Sequence, residues 1–324
     1  MWKSAAFLLA SSAVVYNCFR YFAGGVCRCT TRLDGLAVII TGGNSGIGKA
    51  LAVEVAKRGG EVILACRDPK LGILAQKDII SSTGNNNVHV RSLDLNSIRS
   101  IINFSTDIQN EYPEIYALVN NAGVFYYPQE LTEDGFDVTL QTNYLGPFIL
   151  THHLLKSLKN SEHSRIINVS SEGHRYVTEY DLKAITKNQK ETRSHFTAYG
   201  VSKLALLLFT KELSKRLLGS NIIVNSANPG NVETPIFRYF PPLSNPILYA
   251  LQWPIRLVVV KSPRQGAQTI LHALLTSHRT TGQYFTDCKV VLPSAIALND
   301  ALSKEYYNLT LEILDTKFDT ESEC

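Results

Sequence analysis

The sequence contains no HExxH and no G-x-S-x-G. The first absence removes the two-histidine helix of a zinc hydrolase, and the second removes the nucleophile elbow of a serine hydrolase. Charge is scarce as well. Only 19% of residues are Asp, Glu, Lys or Arg, and the net charge is +4 with no acidic, basic or low-complexity tract. A nucleic-acid partner requires a concentrated basic face, so none is expected. No repeat of solenoid period is present. Six cysteines, at 18, 27, 29, 66, 288 and 324, are too sparse in 324 residues for a disulfide framework. Cys27-Arg28-Cys29 has the ingredients of a metal or acylation site. No second ligand pair follows at zinc-finger spacing, so it reads as two thiols near a membrane anchor.

What the chain does have begins at its N-terminus. Ala5 to Tyr16 is an apolar run behind Lys3, continued by Phe19, Tyr21 and Phe22. The run is shorter than the about 20 residues that span a bilayer, so a cleaved signal peptide is the alternative to an anchor. Arg20, Arg28 and Arg32 put more positive charge after the run than before it, the reverse of a secretory signal. By the positive-inside rule the folded part then faces the cytosol. The sequons at Asn103, Asn168 and Asn308 would be silent there. The expected organisation is an anchor at 1–22, a linker at 23–35, a catalytic domain at 36–315 and a tail at 316–324. The expected location is the endoplasmic reticulum membrane or a lipid droplet.

From Leu36 onward, apolar β-branched runs alternate with helix-length segments. Strands are expected at 37–41, 61–65, 88–92, 115–120, 165–170 and 222–227, with Asp68 opening a helix. Continuous apolar strands alternating with helices predict a single α/β domain: a Rossmann-type, doubly wound parallel sheet. Ligands of such sheets bind beyond the carboxyl ends of the strands. Residues 241–260, PPLSNPILYALQWPIRLVVV, break the alternation. They read either as a packed irregular connection, because Pro254 disfavours a core helix, or as a lid over an apolar substrate.

The run TGGNSGIGKA, residues 41–50, admits two nucleotide chemistries. Gly43 to Lys49 has P-loop spacing, but the magnesium-binding hydroxyl is replaced by Ala50 and no convincing Walker-B acid follows. The dinucleotide reading needs glycines where the chain turns sharply and a pyrophosphate meets a helix N-terminus. Gly42, Gly46 and Gly48 supply them, with Asn44, Ser45 and Ile47 between.

Three further motifs join this turn. NNAG, Asn120 to Gly123, closes the fourth strand. INVSSEGH places Ser170 and Ser171 at the end of the fifth. YGVSK sets Tyr199 and Lys203 four residues apart, on one helical face. Together they resemble the short-chain dehydrogenase/reductase family, over about 36–287. LACRD, NYLGPFILTHHLL, SKLALLLFTKEL, SPRQGAQT and GQYFTDC are similar to its membrane-bound, retinol-dehydrogenase-like branch.

The resemblance implies a catalytic set of Asn143, Ser171, Tyr199 and Lys203. Tyr199 would give the proton, Lys203 would lower its pKa and hold the nicotinamide ribose, Ser171 would bind the substrate oxygen, and Asn143 would hold a water leading to solvent. It also implies cofactor contacts from the glycine turn, from Asn121, Ala122 and Gly123, from Asp94 and Leu95 at the adenine, and from Pro229, Gly230, Val232 and Thr234 at the nicotinamide amide. Charge argues the cofactor type. The second strand ends in Ala65-Cys66-Arg67, with an arginine where NAD-preferring sites carry an acid, so NADP(H) is expected. The expected substrate is a lipophilic aldehyde, ketone or alcohol of the retinal and retinol type. A steroid or polyprenoid carbonyl substrate, or a non-catalytic cofactor-binding scaffold, are the alternatives. A homodimer is an admissible assembly. The interval from Ser171 to Tyr199 carries a polar insert expected to border the substrate cleft.

Overall fold

The computed structural model describes residues 22–179, 181–182, 194–277 and 280–314. The expected anchor, apart from Phe22, lies outside the described residues, as do the tail and most of the polar insert. No helix among the described residues is long and apolar enough to cross a membrane.

The elements, in chain order, are β1 (Ala37–Thr41), α1 (Gly46–Lys57), β2 (Glu61–Cys66), α2 (Pro69–Thr83), β3 (Val88–Ser92), α3 (Ile98–Glu111), β4 (Ala117–Asn120), α4 (Gly146–Asn160), β5 (Ser164–Val169), α5 (His195–Arg216), β6 (Ile222–Asn228), α6 (Pro246–Val259), α7 (Pro263–Leu275), β7 (Tyr284–Thr286), β8 (Lys289–Val290) and α8 (Asp300–Leu314). The sheet order is β3-β2-β1-β4-β5-β6-β7-β8. All pairs are parallel except the last. The chain reverses its direction of travel across the sheet between β3 and β4. The crevice between the carboxyl ends of β1 and β4 is therefore the switch point where a ligand has room to enter.

The sequence explains the layering. β1 is AVIIT and buried throughout, as a strand covered on both faces must be. Its alternate side chains feed two cores. Ile39 joins Phe148, Leu204 and Tyr307 on one face, while Val38 and Ile40 join Leu51, Val55 and Leu271 on the other. Asp68 caps α2 by accepting from the backbone N–H groups of Lys70 at 2.8 Å and Leu71 at 3.2 Å.

Several expectations change. β4 starts at Ala117, not Ile115, because the Ile115 N–H turns to Ser157 O at 3.0 Å. β5 ends at Val169, leaving both serines beyond it. β7 and β8 were not expected; three- and two-residue strands carry too little pattern to read. Residues 246–259 form a helix despite Pro254. Proline removes one backbone bond, and the residue one turn before it, Ala250, is exposed. The helix displays Ile247, Leu248, Leu251 and Trp253 to solvent, so it is not a packed connection.

The segment at 23–35 is seated on the domain. Its backbone is tied by Leu33 N–H to Arg58 O at 2.8 Å, and the Leu33 side chain is fully buried beside Val38 and Val55. Leu33→Ala should cost about 2–5 kcal/mol of unfolding free energy, since it empties a closed site. Urea denaturation of the full chain measures this. A loss below about 1 kcal/mol, the range of ordinary surface changes, would show that the segment is only loosely held.

Candidate active site

The switch-point crevice is built from the end of β1. Thr41 Oγ1 accepts from the backbone N–H groups of Asn121 and Ala122, each at 2.9 Å, and Asn121 Nδ2 donates to Thr41 O at 2.8 Å. These bonds fasten the glycine turn to the NNAG segment. Gly42 and Gly46 have φ of 66° and 53°, the left-handed region that side chains disfavour. A Cβ on Gly48 would collide with Gly42 O and stand 2.6 Å from Asn121 Nδ2. Ser45 is the N-cap of α1, yet its side chain makes no capping bond. The first-turn N–H groups therefore remain available to an anion, and the helix dipole favours one. These residues fit the pyrophosphate of a dinucleotide.

The crevice widens into a cleft of about 820 Å³. Every residue expected to touch the cofactor lines it: Gly42, Asn44, Ser45, Gly46, Ile47 and Gly48 at the turn; Arg67, Asp94 and Leu95 at one end; Asn121, Ala122 and Gly123 in the floor; and Pro229, Gly230, Val232 and Thr234 on the far wall. Ser171, Tyr199 and Lys203 line it too. Asn143 does not. It is fully buried behind the wall, in a widened helical turn over Gln141–Leu145. Its Oδ1 accepts from Val124 N–H at 2.8 Å, and its Nδ2 donates to Val124 O at 2.9 Å and to Ser202 Oγ at 3.0 Å. A Cβ placed on Gly123 would lie 3.2 Å from Asn143 Oδ1 and 3.5 Å from Lys203 Nζ. Gly123 thus separates the two groups, and no direct bond joins them.

Tyr199 and Lys203 stand on α5, whose residues 200–210 are buried without a break. Lys203 Nζ donates to Val169 O at 2.8 Å, and two ammonium hydrogens remain. Burial lowers the Lys203 pKa to about 8. Burial raises the Tyr199 pKa, opposed by a hydrogen bond with the Ser171 side chain. Desolvation dominates at the phenol, and Lys203 Nζ lies 5.7 Å from the ring centroid. Before a cofactor binds, this favours a protonated Tyr199 beside Ser171.

Two polar residues and an aromatic wall could not be read from the sequence. His174 Nε2 accepts from the Ser294 N–H at 3.1 Å, which leaves Nδ1 as the donor to Ser171 O at 2.6 Å. The ring therefore ties the Ser171 loop to the C-terminal segment. Glu172 Oε1 accepts from Asn228 Nδ2 at 2.8 Å and from the Tyr284 hydroxyl at 3.1 Å, so β6 and β7 meet at the same loop. Around Tyr199 stands an aromatic wall. Phe125 lies 5.0 Å from its ring, and Phe196, Phe237 and Phe240 lie 5.4, 5.7 and 5.7 Å from Phe125. SSEGH was on the page as a motif. The aromatic residues come from three distant stretches, and only the fold assembles them.

The Lys203 pKa has a consequence for stability. Its folded value, about 8, lies below the ordinary 10.5. Between these values the unfolded chain binds more protons, so stability should rise with pH through this window. Lys203→Met should flatten that rise. Denaturant midpoints of the cofactor-free protein at pH 7.5 and 9.5, with and without the substitution, provide the check; an unchanged slope would mean that Lys203 is well solvated.

Comparisons with known proteins agree with this geometry. A model of the short chain dehydrogenase family matches residues 36–180 and 184–242. The chain is 39% identical to human retinol dehydrogenase 11 over 305 residues, covering 93% of this chain and 92% of the relative. It is 40% identical to retinol dehydrogenase 12 of Mus musculus over 304 residues, covering 93% of each. Among solved structures, an uncharacterised protein from Mycobacterium paratuberculosis superposes with a TM-score of 0.71 at 29% identity, covering 91% of this chain and 99% of that one. An actinorhodin polyketide ketoreductase solved with NADPH shares the fold, with a TM-score of 0.61 at 24% identity over 79% and 96% of the two chains. The glycine turn, the buried Tyr199/Lys203 pair and these likenesses converge: the chain belongs to the short-chain dehydrogenase/reductase family, in its retinol-dehydrogenase-like branch.

Proposed function

We propose that this oxidoreductase uses NADP(H) to interconvert a lipophilic alcohol and its aldehyde or ketone, of the retinol and retinal class, at a membrane facing the cytosol. The observation that carries the substrate class is the aromatic wall. Phe125 and Phe237 line the cleft beside Tyr199, and Phe196 and Phe240 pack on Phe125; a polar substrate would shed its water there without compensation. An extended apolar carbonyl compound loses little and gains contact with the rings. The names of the relatives at 39–40% identity support the same class.

When bound, the nicotinamide supplies or accepts the hydride. The chain's own residues do the rest. In the reducing direction Tyr199 gives its proton to the substrate oxygen, Ser171 donates a hydrogen bond to that oxygen as charge develops, and the Lys203 ammonium sets the local field. Asn143 holds Val124, and with it the floor at Gly123, in place. Tyr199→Phe keeps the ring packing and removes the proton. Turnover should fall by about 100-fold or more, with NADPH affinity nearly unchanged by fluorescence titration. Wild-type turnover in this variant would sink the reading.

The NADP(H) preference rests on the end of β2. Arg67 lines the cleft there, and Asp68, which lines it too, uses its Oδ1 to cap α2. Arg67→Asp should move the NADPH-to-NADH affinity ratio by about 10-fold or more, the worth of a charge-assisted bond. An unaltered ratio would remove Arg67 from the phosphate subsite.

Membrane attachment is supported by the apolar N-terminal run and by the face of α6 that exposes Ile247, Leu248, Leu251 and Trp253. Deleting residues 1–22 should release part of the protein from microsomes. Adding Leu248→Asp and Trp253→Asp should release the remainder and raise KM for long apolar aldehydes more than for short soluble ones. Equal KM changes for both would separate α6 from substrate entry.

A further inference from the structure

Cys27-Arg28-Cys29 found no partner in the sequence. The fold supplies two. Cys27, Cys29 and His272 bring one ligand atom each to within 4.8 Å of one another. Cys29 Sγ lies 3.7 Å from His272 Nδ1, the separation of two ligand atoms on one tetrahedral zinc ion, about 3.5–3.8 Å. A third thiol, outside that 4.8 Å group, comes to the same helix face from the β7–β8 hairpin. Cys288 Sγ reaches Gln268 O at 3.5 Å, while the Gln268 side chain accepts from the Cys27 N–H at 3.2 Å. Gln268 and His272 are one turn apart on α7 and share a face. Three segments distant in sequence therefore meet over one helix face.

The backbone at Cys288 is a second, independent observation. Asp287 and Cys288 are the two loop residues between Thr286 and Lys289, and both have positive φ, 51° and 59°. Such a turn calls for Asn or Asp followed by Gly. A cysteine in the left-handed region is held there against its preference by its surroundings. The conformation delivers its thiol to α7. All four side chains are buried or partly buried, and the thiols are free.

We propose that Cys27, Cys29, His272 and Cys288 form a Cys3His zinc site that fastens the N-terminal segment to α7 and to the terminal hairpin. Binding forms three Zn–S bonds and one Zn–N bond. Three thiol protons leave to solvent, and no electron is transferred. The set is a closed structural one, with no position left for substrate. Its position on the segment that follows the apolar N-terminus gives it a mechanical task, to carry load from that end into the sheet.

The test uses the full-length protein, purified in detergent with a reductant, stripped by chelator and titrated with cobalt(II). One equivalent should produce thiolate-to-cobalt charge-transfer bands and the intense visible bands of tetrahedral cobalt, and zinc should erase them. Cys29→Ser should weaken cobalt binding beyond the 10–100-fold that even an outer partner of a metal ligand typically carries. His272→Gln should do the same with the three thiols intact, which guards against a folding failure in one variant. Circular dichroism confirms the fold of each. Absence of sulfur bands in the wild-type protein, or unaltered affinity in both variants, overturns the site. A Cys29–Cys288 disulfide in freshly purified protein, seen by mass spectrometry without reductant, overturns it as well.

Discussion

The rotation of α5 about its own axis is the constraint on which the site depends. A helix buried on one side is oriented by its apolar stripe. Residues 200–210 of α5 are buried all round, and hydrophobic burial has no direction. The orientation comes instead from polar bonds. Lys203 Nζ reaches Val169 O, and Ser170 Oγ donates to Lys203 O at 3.3 Å. Further along, Asn120 Nδ2 donates to Asn168 Oδ1, Asn168 Nδ2 donates to Thr210 Oγ1, and Thr210 meets Ser226 at 2.8 Å. That chain of bonds crosses β4, β5, α5 and β6. A slip of one residue would leave several buried groups unmatched, at about 1–3 kcal/mol each. The bonds therefore select one rotation, the one that turns Tyr199 and Lys203 into the cleft.

This selection comes at an electrostatic cost in the same place. Lys203 is charged in a buried setting, and its lowered pKa measures the penalty. The protein tolerates it because Val169 O meets one of the three ammonium hydrogens, leaving the others for a ligand's hydroxyls. Tyr199 is displaced the other way, toward its neutral form. The two shifts share a cause, desolvation, and act on opposite charge types. A cleft dry enough to hold both groups this way is also one in which a hydrogen bond to a developing oxyanion is strong.

Much of this was legible in the sequence, and the reasons are physical. Strand alternation and the glycine turn are local, so the parallel sheet and the residues that line the cleft could be read without coordinates. Tyr199 and Lys203 were legible because one helical turn separates them. Asn143 was expected to hold a water leading to solvent; its place behind the wall, in a widened turn, could not be inferred from QTNYL. The sequence gives the proximity of Lys203 to Tyr199 but not the desolvation that acts on both. The 246–259 helix was obscured by Pro254, which is costly in a core and far less so on a surface. His174 lay in plain view, yet its role needs Ser294, 120 residues later.

The cleft and the thiol cluster share a wall. Lys261 Nζ donates to Asp287 Oδ1 at 2.5 Å and to Pro229 O at 3.3 Å. Pro229 lines the cleft, and Asp287 precedes Cys288 in the hairpin turn. Gly24 and Gly25 press against the same place: a Cβ on Gly24 would stand 2.6 Å from Lys261 Cε, and one on Gly25 would collide with Asp287 O. The N-terminal segment can lie this close only because glycine lacks a side chain. A pull on the N-terminus is thus felt first by Asp287 and Lys261, then by the carbonyl of Pro229 at the nicotinamide end of the cleft. Bonds at Cys27, Cys29 and Cys288 would take up that force before it reached Lys261. The proposed fastening would stand between the N-terminal segment and the cleft wall, and would hold that segment without disturbing the geometry around Tyr199.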